Sequence, residues 1–211
     1  TSPTEEQQNF LRLIKASGED LSKLINNILD INKIEAGKLT LEQIEFQFEE
    51  IMKSNLNPYR YLAREKGIDL SISIDPAIPK VLIGDPQKIN QIVRNLVSNA
   101  VKFTVTGNIN VNFTSLPAKA GYAVIQGDII DSGIGIPSNK LNVIFDSFTQ
   151  ADDSTSRNYG GSGLGLTICR YLLNSMDGDI KVESPPVSFG FEKGTAFTFT
   201  MELKAADSQV V

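Results

Sequence analysis

Apolar positions along the chain switch between a helical period and strict alternation. The sharpest helical pattern lies at residues 85–104, where Ile89, Ile92, Val93, Leu96, Val97 and Ala100 form one face. Asp85 is placed to cap this helix, and Pro86 suits its first turn, where a missing N–H costs nothing. On the opposite side Asn95, Asn99 and Lys102 stand at i, i+4 and i+7 and make a polar stripe. Asn is a poor residue for a helix interior, because its amide competes for backbone hydrogen bonds. Amide oxygens beside an ammonium would suit Mg²⁺ and phosphate; a solvated helix face is the plainer reading.

The remaining elements follow from the same two periods. A long helix is predicted from about Gln8 to Ala36, ended by Gly37. Ile14, Leu21 and Ile28 fall seven apart, as do Phe10, Ser17, Leu24 and Ile31, and the stripe is widened by Ile25 and Leu29. So wide a stripe needs a partner helix, and none of matching character adjoins it. Residues 38–48 alternate and read as one strand or two short extended pieces. A helix is predicted over 49–66, kinked or interrupted at Pro58, and then a strand over 68–74. Pro76, Pro79 and Gly84-Asp85-Pro86 read as a loop. Strands follow near 109–113 and 124–130, a helix near 162–176, and strands at 179–183 and 195–203. The pattern gives an α+β domain over 39–204 with a mixed sheet covered by helices on one face. The long helix of 1–38 precedes it, and 205–211 form a tail or linker.

Composition narrows the function classes. A net charge of -5 and a pI near 4.9 argue against nucleic acid as a partner. The single Cys169 precludes an internal disulfide, so a reducing compartment fits. There is no apolar run long enough for a membrane span and no signal-peptide pattern, so this region is expected to be soluble. The 211 residues contain no histidine, which removes Ser-His, Cys-His and His-metal chemistry from them.

Two glycine-rich segments carry further chemistry. Asp131-Ser132-Gly133-Ile134-Gly135 follows a predicted strand directly. A carboxylate there could accept a hydrogen bond from an amine while the chain turns round a flat ligand; a tight turn capped by the Asp is the simpler alternative. Gly160-Gly161-Ser162-Gly163-Leu164-Gly165 runs into an apolar helix. Backbone N–H groups and a helix N-terminus there suit phosphate, although the segment is neither a Walker A loop nor a dinucleotide fingerprint, and a flexible hinge is the alternative. Between them residues 138–159 form a long segment containing Phe145, Phe148 and Arg157, read as a lid able to bring Arg157 to a phosphate.

Taken in order, Asn95-x3-Asn99-Ala100-x-Lys102-Phe103, Asp131-x-Gly133-x-Gly135, Phe145-x2-Phe148 and Gly161-x-Gly163-x-Gly165 resemble the N, G1, F and G2 boxes of sensor histidine kinases, the hybrid type above all. The similarity runs from about Gln8 to Leu203. It implies a two-layer α/β sandwich shared with the topoisomerase, chaperone and mismatch-repair ATPases (the GHKL fold). It further implies that Asn99, with Asn95, holds Mg²⁺ and that Lys102 contacts phosphate. Asp131 would bind the adenine amine of ATP in a pocket shaped by Gly133 and Gly135. Gly161, Gly163, Leu164 and Gly165 would cradle the phosphates, and Phe145 and Phe148 would close the lid. Residues 21–39 resemble the second helix of the dimerising, phosphoacceptor hairpin, whose first helix and histidine are not among these residues. The implied partners are that phosphoacceptor helix, in the same protein or a dimer mate, and a response regulator or receiver domain. Weak self-association through residues 10–31 is also expected. The implied location of this region is cytoplasmic, with membrane anchoring of a longer parent left open.

Chemistry separates the branches of that superfamily. Hydrolysing members place a Glu four residues before the metal-binding Asn, as a base for water. Here Asn95 stands there, and an amide takes no proton. The expected reaction is therefore transfer of the γ-phosphoryl to a histidine, with Asn95 and Lys102 as the catalytic pair. The alternatives are a degenerate nucleotide-binding module that regulates partner contacts without phosphotransfer, and an ATP-driven machine of the hydrolysing branch.

Overall fold

A computed structural model of the chain describes residues 4–146 and 163–206. The chain divides after Leu39 into two compact units. The first holds one 31-residue helix, α1 (Glu5–Glu35). A capping box starts it: Thr4 Oγ1 accepts the Gln7 N–H, and Gln7 Oε1 accepts the Thr4 N–H. Phe10, Leu11, Ile14, Leu21, Leu24, Ile25, Ile28 and Leu29 are exposed along it.

The second unit is built on a seven-stranded sheet. In chain order its elements are β1 (Ile44–Gln47), α2 (Phe48–Glu65), β2 (Ile68–Ile74), β3 (Val81–Gly84), α3 (Pro86–Phe103), β4 (Gly107–Leu116) and β5 (Tyr122–Asp131). They continue with α4 (Gly165–Asn174), β6 (Asp179–Glu183) and β7 (Thr195–Ala205). The strand order is β1-β3-β7-β5-β4-β2, with β6 also paired to β7. Only β2 and β4 run parallel; the other pairs are antiparallel. The eleven residues of β7 pair with β5 along nearly their whole length, with β6 in the first half and with β3 at the end.

Alternation along the strands decides where the core sits. Ile109, Val111 and Phe113 of β4, Ile125 and Ile129 of β5, and Phe199 and Met201 of β7 are buried. Met52 and Leu56 of α2, six apolar residues of α3 from Ile89 to Ala100, and Ile168 and Leu172 of α4 are buried as well. The intervening strand positions, such as Asn110, Gln126 and Thr198, are half-buried and polar. A mixed sheet with an apolar, helix-covered face and a polar face is the expected α+β sandwich.

Three local expectations are corrected. The stretch 38–48 contributes a strand only at Ile44–Gln47, and Phe48 opens α2 with its ring fully buried against Phe113, centroids 5.3 Å apart. Helix α2 passes through Pro58 without a break. Both Pro58 and Ser54, whose carbonyl loses its partner there, are exposed, so water replaces the missing bond. The segment read as a loop before α3 contains β3, which gains its order by pairing with β1 and β7.

Candidate functional site

Helix α3 starts as its sequence dictates: Asp85 Oδ1 accepts the Lys88 N–H at 3.0 Å, and Asp85 Oδ2 accepts the Glu42 N–H at 3.2 Å. The polar stripe then meets α4. Asn95 Nδ2 donates to Gly165 O at 3.3 Å and to Cys169 Sγ at 3.7 Å, and the Cys169 thiol donates to Ile92 O at 3.8 Å. The nitrogen of the Asn95 amide is thus committed to α4, which leaves Oδ1 as its acceptor. Burial pushes the Cys169 thiol up to about 12, so it stays protonated. Asn99 follows one turn on, half-buried. Lys102, in the last turn of α3, is also half-buried; its amine stands 4.8 Å from the Phe103 ring centroid, and desolvation lowers its pKa.

Asp131 closes β5 and is 5% exposed. Burial raises its carboxyl to about 6, against the lowering effect of the Gly133 and Thr195 N–H groups. The Gly133 N–H reaches Asp131 Oδ1 at 2.8 Å. A Cβ on Gly133 would stand 2.5 Å from Phe103 O and 2.7 Å from Asp131 Oδ1, so only glycine lets the turn lie between α3 and the carboxylate. Gly194, with φ +105, passes closer still: a Cβ there would lie 1.8 Å from Asp131 O. Gly135 adopts φ +75 in the same turn.

At the start of α4, Gly163 has φ +69, Leu164 is buried at the N-cap and Gly165 is the first helical residue. Among the described residues no side chain caps this helix and its first turn holds no acid, so its dipole favours an anion there. Thr167 in that turn and Thr104 just after α3 have fully buried hydroxyls without a hydrogen-bond partner among the described residues. Phe145 is buried, edge-on to Phe197 with centroids 6.3 Å apart and covered by Arg170 at 5.4 Å. Arg170 Nη2 also donates to Phe145 O at 3.2 Å, so this phenylalanine belongs to the core. Phe148, Arg157 and Gly161 lie outside the described residues.

The structure brings together Asn95 and Gly165 across 70 positions, and Asp131 with Gly133 and the end of α3. Thr195, Gly194, Ser184 and Arg170 had no place in the sequence reading. The pair Gly194-Thr195 at the mouth of a strand was the signal available for two of them.

A family model described as histidine kinase-, DNA gyrase B- and HSP90-like ATPase matches residues 84–205, more than half of the chain. The chain belongs to this ATPase family. Among its relatives, a hybrid signal transduction histidine kinase B of Dictyostelium discoideum is 40% identical over 201 residues, 95% of this chain and 10% of that protein. The signal transduction histidine-protein kinase BarA of Escherichia coli K12 is 38% identical over 203 residues, 96% of this chain and 22% of that one. The chain therefore spans a quarter or less of these curated relatives, and the part of each that it matches resembles its ATPase-family region. Full-length ShkA, solved in complex with AMPPNP, superposes with a TM-score of 0.76 at 26% identity, covering 98% of this chain and 41% of that one. The catalytic domain of histidine kinase ThkA gives 0.59 at 25% identity, covering 78% and 96%. The ATPase-family fold inferred from the four boxes is thus the fold of the chain.

The residues present fit a nucleotide with a hard cation. The turn beside the buried Asp131 carboxylate meets the end of α3, which carries Lys102 and leads into Thr104, and Asn95 joins α3 to the first residue of α4. Among the described residues no cluster of three His, Cys, Asp or Glu could hold a metal. A cation would rest on amide oxygens and on the phosphates themselves, as suits Mg²⁺. Among the described residues no helix is long and apolar enough to cross a membrane.

Proposed function

We propose that the chain binds Mg-ATP and presents its γ-phosphoryl to a histidine outside these 211 residues, in two-component signalling. The observation that carries this reading is Asn95: where a hydrolase needs a base, an amide stands with its nitrogen tied to Gly165 and Cys169. Such a group orients ligands and takes no proton.

The Asp131 carboxylate accepts the adenine amine, and the Gly133–Gly135 turn lies along the base. Gly161, Gly163, Leu164, Gly165 and the α4 N-terminus receive the phosphates through backbone N–H groups. Asn99 and Asn95 would hold Mg²⁺, which when bound would neutralise phosphate charge. Lys102 adds a cation whose partial desolvation strengthens its pull. Arg157 and Phe148 serve the closing segment, with Phe145 as its anchored neighbour. A histidine ring nitrogen attacks the γ-phosphorus, the bond to the bridging oxygen breaks and ADP leaves; the other ring nitrogen releases its proton. With no base for water, hydrolysis is slow and positioning supplies the rate. A phosphoacceptor helix and a receiver domain are the partners this chemistry requires, and the exposed stripe of α1 (residues 10–31) supports pairing with such a helix.

Calorimetric titration with a non-hydrolysable ATP analogue tests the reading. Binding should require Mg²⁺, and Asn99→Ala should remove that requirement together with most of the affinity. A folded wild-type chain that binds no nucleotide would leave a degenerate module without phosphotransfer.

A further inference from the structure

Three stretches distant in sequence meet at one hydroxyl. Ser184, the residue after β6, accepts the Ile136 N–H at 2.8 Å and donates to Gly194 O at 2.6 Å. It is thus bonded both to the turn after Asp131 and to the residue before β7. The packing is close: a Cβ on Gly135 would stand 3.0 Å from Ser184 Oγ and 3.3 Å from Gly194 O. The two stretches joined by Ser184 each deliver one backbone N–H toward the Asp131 carboxylate, Gly133 from the turn and Thr195 from β7. Asp131 and Thr195 are also register partners in the sheet.

We propose that Ser184 is a positioning residue for the nucleobase: its hydroxyl clamps the Gly133–Ile136 turn to the Gly194–Thr195 entry of β7, which fixes the slot beside Asp131. The inference rests on the nucleotide reading above. Ser184 touches no reacting atom and acts through two backbone segments whose spacing sets where a planar base can lie. A hydroxyl suits this work because it donates and accepts at once, so it joins a carbonyl to an N–H that could not bond each other in that geometry. Ser184 is half-buried, so water can reach both groups when the hydroxyl is removed. The sheet pairing of β5 with β7 does not depend on it. Loss of the clamp should therefore loosen the slot more than it destabilises the fold.

The test is calorimetric titration of the full chain with ADP, beside thermal unfolding without nucleotide. Ser184→Ala should bind ADP about tenfold more weakly, a loss of about 1.4 kcal/mol, with its unfolding midpoint close to wild type. Ser184→Thr keeps the hydroxyl and should restore the affinity. Wild-type affinity in Ser184→Ala overturns the inference, as does an equal loss in Ser184→Thr. A loss that tracks a fall in the midpoint, or a failure of Ser184→Ala to fold, makes the residue merely structural and also overturns it. A folded wild-type chain that binds no ADP overturns the nucleotide reading first.

Discussion

The two ends of the candidate site are built by opposite means. At the end proposed to hold the base, Asp131, Gly133, Ser184 and Gly194 lock backbone against backbone at contacts so close that a Cβ would collide. At the end proposed to hold phosphate the join between α3 and α4 is looser. Asn95 reaches Gly165 and Cys169 through longer bonds, and a Cβ on Gly165 would meet the Asn95 amide at an ordinary 3.6 Å. On the proposed reading, one end offers the base a shape fixed by the fold, and the other offers the phosphates a looser join and a helix dipole. A flat base gains from rigid walls; a phosphate chain with its cation needs donors and room.

Substitutions can break this contrast. The largest effect belongs to Gly194→Ala, which sets a methyl against Asp131 O at a φ that L residues avoid. It should cost about 3 kcal/mol or more of stability by chemical denaturation. Asp131→Asn should act the other way on the fold. With its carboxyl raised from an ordinary 3.8 to about 6, the folded state binds this proton more tightly than the unfolded state. Stability then falls as pH rises from about 4 to 6, and above 6 the buried charge costs up to about 3 kcal/mol. The Asn variant, free of that charge, should be at least as stable as wild type at pH 7.5, yet bind nucleotide about a hundredfold more weakly. A parallel loss of folding and binding would return Asp131 to the role of a turn cap. In the wild-type chain, nucleotide affinity should itself decline below about pH 6 as the acceptor is protonated. The smallest effect sharpens the other end. Gly165→Ala meets no clash and no positive φ, so it should stabilise the chain by about 0.5 kcal/mol. Its methyl would nevertheless stand over the Asn95 amide and weaken Mg-nucleotide binding. Unchanged binding would show that this space is not used.

The same contrast explains what the sequence disclosed. The two helices of the proposed phosphate end were legible because their parts are local signals: a capped helix with Asn95, Asn99 and Lys102 on one stripe, and a glycine run opening another helix. At the base end Asp131 and Gly133 were visible at a strand end, but Ser184 and Gly194 carry no chemistry of their own and matter only through long-range juxtaposition. Elements followed the same rule. The strong periods of α3, β2, β4 and β5 predicted themselves. Strand β3 is four residues between prolines, and it exists because β1 and β7 pair with it. The alternation of Ile44, Phe46 and Phe48 ran on past the strand because a buried aromatic at a helix start has the same parity. Pro58 looked like a break because a proline's cost depends on whether solvent can reach the orphaned carbonyl, which only the fold reveals.

The last strand also governs how the molecule comes into being. Because β7 bonds to β5, β6 and β3, the sheet stays divided until residues 195–205 arrive. During synthesis β5 leaves the ribosome with one edge unpaired, and β1 and β3 stay apart from β2, β4 and β5. The unit cannot complete itself co-translationally from its N-terminus and must close in one late, long-range step. Nascent chains stalled before Thr195 should therefore be open to proteolysis, and chains extended past Ala205 should gain resistance.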